Sequence, residues 1–420
     1  MPQPPSVRPG APVALTGAGV VSAIGNTLAA FDAALFAGRS AIRAQALDLP
    51  GIELPPVPVA SADFDAAAEE APSRVPLDRA TAMALAAARD AARAAGLAPG
   101  GFDPEQLGIF WGSGMAGAAT FEATCRTVYA DRRRMRPTSV VTTMPNAPVA
   151  EIALAFAARG AALSYACACA SSAVAIGEAM RAIRAGWIDV AIAGGSESML
   201  TPGVLASWQA MRVLVPLGAA ANDAAAVAAC CRPFAAERNG FALGEAAAAF
   251  VLESPAHAAA RGAPVEAMLA GYATNCDGVH ITQPDPAGQA RAMQAALADA
   301  GLTASDIGYL NAHGTATTAG DAVEAESIAR VFGSHGIPVS STKAIHGHLL
   351  GAGGAVELLA TLRALAAGSV PVNANTREAN SAFGLDLVCG ETRTVAGLRH
   401  AMSSSFAFGG TNAVLVASRA

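Results

Sequence analysis

The chain reads as an α/β protein with a duplicated core, built from parallel sheets covered by helices. Three observations carry this reading. Short apolar runs alternate with longer amphipathic stretches from residue 13 onward, the pattern of strand–helix–strand units. Several of the apolar runs end in glycine-bearing turns. After about residue 255 the same order of elements begins again, without a literal sequence repeat. The halves therefore span 13–255 and 256–420, behind a Pro-rich leader at 1–12 that has no signal-peptide character.

The elements follow in order. Residues 13–17 form a buried strand that runs into the turn Gly17-Ala18-Gly19. A lone GxG without the dinucleotide spacing excludes a Rossmann site. Residues 81–95 are an Ala-rich helix that Gly96 can cap. Strands are expected at 107–111 and 161–165. After the second, Ala173, Ile176, Met180, Ile183 and Trp187 make one apolar helical stripe facing a core. Further strands lie at 189–193 and 246–253, with an Ala-rich surface insertion at 217–229 between them. The second half gives strands at 265–272, 307–311 and 339–341, and helices at 289–300, 321–332 and 354–367.

Composition narrows the function. Only 14% of residues are charged and the formal net charge is −6, which argues against a nucleic-acid surface. Mean hydropathy is +0.39, yet no run of about 18 residues is apolar throughout, so no membrane partner is expected. The cysteines are Cys125, Cys167, Cys169, Cys230, Cys231, Cys276 and Cys389. Their odd number and irregular spacing fit neither a disulfide framework nor a metal site, and reduced thiols point to the cytoplasm.

Four segments carry chemistry. Cys167-Ala168-Cys169-Ala170-Ser171 stands where a strand hands over to a helix. Unpaired N–H groups and the positive end of the helix dipole favour a thiolate there, the form a nucleophile needs. Asn311-Ala312-His313-Gly314-Thr315-Ala316-Thr317 follows a strand, as does Ser341-Thr342-Lys343-Ala344-Ile345-His346-Gly347-His348. Phe406-Ala407-Phe408-Gly409-Gly410-Thr411-Asn412 is a Gly-rich turn. Ligands of open α/β sheets gather at the carboxyl ends of strands, so these segments can converge.

The stretches 13–25, 169–177 with 191–195, 311–321, 341–357 and 403–412, and more loosely Arg238–Glu245, resemble the elongating β-ketoacyl-acyl-carrier-protein synthases, decarboxylating condensing enzymes of the thiolase superfamily. The resemblance implies a thiolase-like, five-layered αβαβα core and a homodimer, or pairing with a related ketosynthase subunit. It makes Cys169 the nucleophile, and His313 and His348 the donors to a malonyl thioester oxygen. Lys343 would sit beside them, with Glu357 as its partner. The N–H groups of Cys169 and Phe406 would form the oxyanion hole, with Phe406 as the gate. Thr315, Thr317, Met115 and Phe408 would line the substrate path, Met115 limiting chain length. Ala407 and Ser404 replace the usual Gly and Asn of the gate segment, and Ala there costs backbone freedom. No cofactor is required; Asn311, Glu324 and Glu357 would neighbour a monovalent cation. The cluster Arg132, Arg133, Arg134 and Arg136 would dock the acidic acyl carrier protein. The resemblance implies decarboxylative condensation in fatty-acid, polyene or polyketide synthesis. A degradative thiolase fits less well, because it needs a second cysteine near the C-terminus and none follows Cys389.

Overall fold

The computed structural model describes residues 10–98 and 100–420; residues 1–9 of the leader lie outside this range. Ten strands build the two halves. The first half has β1 (Val13–Ser22), β2 (Leu107–Gly112), β3 (Ala162–Tyr165), β4 (Val190–Glu197) and β5 (Ala246–Glu253). The second has β6 (Ala267–Cys276), β7 (Tyr309–Asn311), β8 (Pro338–Ser340), β9 (His400–Phe406) and β10 (Thr411–Arg419).

Their spatial order is β3-β2-β4-β5-β1-β6-β10-β9-β7-β8, with Asp386–Leu387 added at the far edge. Counted within its own half, each set runs first, fifth, fourth, second, third outward from the middle. The duplication is thus explicit in topology although the sequence shows no repeat. The halves meet where Val13–Leu15 of β1 pairs antiparallel with Ala267–Leu269 of β6.

The sheets are mixed, not parallel as expected. In each half the first and last strands run antiparallel to their neighbours, β1 to β5 and β6 to β10. Only the outer strands are parallel. Apolar alternation signals a strand but carries no direction.

Six helices complete five layers. Helices α1 (Arg79–Ala94) and α2 (Ala147–Phe156) cover the outer face of the first-half sheet. Helices α3 (Ser171–Arg184) and α6 (Gly353–Ala367) pack against each other between the two sheets. Helices α4 (Pro286–Ala300) and α5 (Thr318–Phe332) cover the second half from outside. The stretch Leu350–Ala367 is long and apolar enough to cross a membrane by composition, but 83% of it is buried as this middle layer.

Two local expectations fail. Gly17 and Gly19 are not a turn but lie inside β1. A Cβ on them would stand 2.3 Å from the Ala91 carbonyl oxygen and 2.1 Å from that of Ala87. The glycines therefore let α1 lie directly on the strand. Trp187 falls beyond the end of α3 and is exposed, so it leaves the core stripe that its spacing suggested. The Ala-rich insertion is a short helical segment, Ala224–Ala228, capped by the Asp223 side chain and anchored by buried Val227.

Candidate active site

The sequence-selected residues meet at the carboxyl ends of the parallel strands. Cys169 sits in a 3-10 turn, Ala168–Ala170, leading into α3. Ala168 holds φ +48°, a left-handed conformation that costs a non-glycine residue about 1–3 kcal/mol. The turn is braced by Ser171, whose Oγ donates to the Ala168 carbonyl (2.7 Å) and accepts from the Cys167 N–H (2.9 Å). Cys167 faces a core cluster beside Tyr165.

His313 follows β7, and His348 follows the four-residue helix Lys343–His346 after β8. His348 Nε2 lies 3.1 Å from Cys169 Sγ. One ligand atom from each of Cys169, His313 and His348 falls within 4.8 Å of the others. The surroundings set the tautomers. The Leu350 N–H donates to His348 Nδ1 (3.4 Å), which leaves the proton on Nε2. The Lys343 ammonium stands 3.4 Å from His313 Nδ1, and with that nitrogen accepting, His313 also carries its proton on Nε2. Burial first, then the Lys343 charge, holds both imidazoles well below the ordinary histidine value. Both rings therefore remain neutral donors at neutral pH, and burial matters more than the expected repulsion by Lys343.

Lys343 is itself buried and pairs with the Glu357 carboxylate on α6. Glu324 on α5 accepts the N–H groups of His313 (2.7 Å) and Gly314 (2.6 Å), while burial pushes its carboxyl up to about 8.

The thiol departs from expectation. Burial pushes Cys169 up to about 12; the Lys343 charge and N–H bonds from Phe408 and Cys169 itself only oppose it. Burial thus pushes the thiol in the direction opposite to the lowering expected at a helix N-terminus.

The Phe406 segment brings a different N–H to the sulfur than expected. Phe406 is the last residue of β9, in register with Asn412, with its ring edge-on to His313 at 6.1 Å. The backbone N–H that reaches the Cys169 sulfur belongs to Phe408, two residues on, in the turn that leaves the ladder. Of the two candidate donors in this segment, the Phe408 N–H rather than that of Phe406 therefore faces the Cys169 sulfur. The Phe408 ring stacks on Trp208 at 6.4 Å. Ala407 does not take a positive φ; Gly409 (+88°) and Gly410 (+81°) carry the turn, so Ala407 imposes no local backbone strain.

A cavity of about 330 Å³ opens onto Cys169, His313 and His348, and Thr315, Thr317, Phe406 and Phe408 line it. The Thr315 and Thr317 hydroxyls bond each other (2.9 Å), and Thr317 also caps α5 through the Gly320 N–H. Met115 does not line this cavity; it is exposed on the turn after β2. Arg132, Arg133, Arg134 and Arg136 are exposed on a loop outside the cavity. Sequence reasoning missed Trp208, and missed Phe241, whose ring packs edge-on against His348 at 5.1 Å. Phe241 lay inside a matching stretch, whereas nothing in the sequence marked Trp208.

Comparison with known proteins gives a consistent picture. The family model "Beta-ketoacyl synthase, N-terminal domain" matches residues 10–258, and "Beta-ketoacyl synthase, C-terminal domain" matches 266–377. The chain is 42% identical over 344 residues to Nodulation protein E of Rhizobium meliloti (strain 1021), covering 81% of this chain and 82% of that one. It is 38% identical over 346 residues to 3-oxoacyl-[acyl-carrier-protein] synthase 2 of Staphylococcus aureus (strain N315), covering 81% of each. Among solved structures, the ishigamide ketosynthase/chain length factor superposes with a TM-score of 0.88 at 30% identity, over 98% of this chain and all of the other.

Proposed function

The chain belongs to the β-ketoacyl synthase family, as an acyltransferase catalysing β-ketoacyl-carrier-protein condensation, and from that premise we propose how its residues act and in what setting. One observation carries the mechanism: Cys169 Sγ lies 3.1 Å from His348 Nε2, with a second histidine beside it.

The Cys169 sulfur attacks the thioester carbonyl of an acyl carrier protein. The carrier's pantetheine sulfur leaves and takes the thiol proton, and an acyl-cysteine remains. Charge on the carbonyl oxygen is met by the N–H groups of Cys169 and Phe408; one such donor is typically worth about 10²–10³ in rate. A malonyl thioester then enters, and its thioester oxygen accepts from Nε2–H of His313 and His348. The bond to the carboxylate breaks, CO₂ leaves, and both donors stabilise the enolate. The enolate carbon attacks the acyl-cysteine carbonyl, releasing the Cys169 sulfur and a β-ketoacyl chain two carbons longer.

A monovalent cation fits beside this site. Asn311 Oδ1 and Ser404 Oγ are both buried without a hydrogen-bond partner, on parallel strands whose register sets Asn311 opposite Ser403. Asn311, Ser404 and the neighbouring Glu324 and Glu357 would hold the ion, which would supply local charge balance.

The working unit is a homodimer. Phe121, Tyr129, Val140, Val141, Met144 and Leu163 are large exposed apolar side chains in one segment, and edge strand β3 is mostly exposed. A second copy of this chain would cover them. The arginine cluster is the docking patch for the acidic carrier. The enzyme serves a dedicated pathway, a reading supported by its likeness to Nodulation protein E and by Ser404 and Ala407 in the gate segment.

The test incubates the pure protein with malonyl-carrier protein and a ladder of acyl-carrier proteins, followed by intact mass. A two-carbon β-keto extension that Cys169→Ala abolishes is expected. Absence of any acyl adduct on Cys169 would overturn the mechanism.

A further inference from the structure

One buried carboxylate has no part in the chemistry above. Glu197 ends β4, is fully buried, and lies among donors only. Its oxygens accept the N–H of Gly114 (2.6 Å), Met115 (3.0 Å) and Gly351 (3.1 Å), and the Ser113 hydroxyl (3.2 Å). Two separate segments thus converge on one side chain: the turn after β2 and the 3-10 turn Leu350–Ala352. Neither glycine can carry a side chain here. A Cβ on Gly114 would stand 2.7 Å from Glu197 Oε2, and one on Gly351 would stand 2.6 Å from it and 2.2 Å from the Gly114 nitrogen. The junction is shaped around the carboxylate.

Gly351 follows Leu350, whose N–H sets the His348 tautomer. Leu350 holds φ +48°, strained for a residue with a branched side chain. A strained residue keeps its conformation only where the surroundings enforce it. The Glu197 bond to the next N–H is such an enforcement. Burial pushes the carboxyl up to about 7, while its four donors pull the other way.

We propose that Glu197 is a positioning residue for His348: by holding Gly351 it fixes Leu350, and Leu350 fixes the ring with its proton on Nε2. The same carboxylate anchors the turn bearing Met115, so that surface turn and the histidine loop share one fixed point. This inference rests on the proposed role of His348.

The test is a double-mutant cycle on malonyl decarboxylation and condensation. Glu197→Gln keeps the shape but turns an amide N–H toward N–H donors. In the wild-type background it is expected to lower kcat about tenfold or more, since small misplacements of a reacting group have effects of that size, with KM for malonyl-carrier protein within about twofold. In a His348→Ala background the same substitution is expected to add less than about a twofold loss. Ser113→Ala, which removes one contact and keeps the carboxylate, gives a smaller loss with the same dependence on His348, and serves if Glu197→Gln does not fold. An equal loss in both backgrounds, or one tracking thermal stability alone, overturns the proposal. A wild-type enzyme that condenses while the cycle is additive refutes the role of Glu197 alone; a wild-type enzyme that never acylates Cys169 refutes the underlying mechanism.

Discussion

Replacing Lys343 with methionine isolates the electrostatics of the site. The side chain is fully buried, its ammonium between the Glu357 carboxylate and His313 Nδ1. Methionine retains most of the stem volume, so the change removes charge more than packing. It leaves Glu357 as a buried carboxylate without its cation, a loss typically worth about 3–5 kcal/mol. Glu357 can escape part of this by taking a proton. Burial already raises it above 4.5, and Lys343 is the opposing pull, so without Lys343 it rises further. The sign follows. In the variant, folded Glu357 binds a proton that the unfolded chain releases above about 4.5. Stability lost to the substitution should therefore be small near about pH 5 and grow with pH, by about 1.4 kcal/mol per unit, until the raised value is passed. Urea unfolding of wild type, Lys343→Met and Lys343→Met/Glu357→Gln across this range reads the penalty as a difference. The single variant should show the slope, and the double variant should lose the slope and regain most of the stability. A penalty independent of pH, or a double variant as unstable as the single, would refute the reasoning.

Three further outcomes are expected. Alkylation of Cys169 by iodoacetamide should accelerate steadily from about pH 6 to about pH 9, because burial places the thiol up to about 12; a plateau near neutrality would show that the helix terminus prevails over burial. Reversing Arg132, Arg133, Arg134 and Arg136 to Glu should raise KM for carrier-bound substrates about tenfold at low salt and leave small thioesters unaffected; equal losses on both would remove the docking role. Potassium in place of choline at equal ionic strength should raise the melting temperature by about 1 °C, corresponding to about 1 kcal/mol for a chain of 420 residues, and Asn311→Ala should abolish that response; identical melting in both salts would dismiss the cation.

The sequence carried the elements and the chemistry unevenly. Strand and helix positions were legible because apolar spacing is local, and the α3 stripe from Ala173 to Ile183 is buried as its period requires. Strand direction was not, because it depends on how 48 intervening residues between Glu197 and Ala246 return the chain beside β4. The candidate reacting residues were legible as motifs, since Cys169, His313 and His348 each follow a strand end and lie together in the fold. The sequence pointed to the Phe406 N–H, whereas the N–H near the sulfur is that of Phe408. A motif gives the order of Phe406, Ala407 and Phe408 but not where the ladder stops, and the N–H that leaves the ladder is the one free to reach the sulfur. The upward push on the thiol was not foreseen, because a helix terminus is visible in sequence whereas the depth of burial is not. Trp208 and Glu197 contact residues distant in sequence, and no local pattern marks them.

The loops that bring Cys169, His313 and His348 together share one physical device. Three non-glycine residues hold positive φ around the site: Ala168 before Cys169, Ala316 in the His313 loop, and Leu350 after His348. Each carries strain of about 1–3 kcal/mol, and none would persist in isolation. Each is held by a polar side chain. Ser171 accepts and donates across the Cys169 turn. Asp321 accepts the Ala316 N–H at 2.9 Å, and Glu197 the Gly351 N–H beside Leu350. Burying Asp321 and Glu197 has its own cost, visible in carboxyls pushed up to about 6 and about 7. That cost is offset only while the strained backbone presents its N–H groups to them, and the strain is offset only while the carboxylates remain. The loops and their carboxylates therefore stabilise one another as units. This is why the turns that carry the nucleophile and the two histidines can be irregular and still hold Sγ and Nε2 within 3.1 Å.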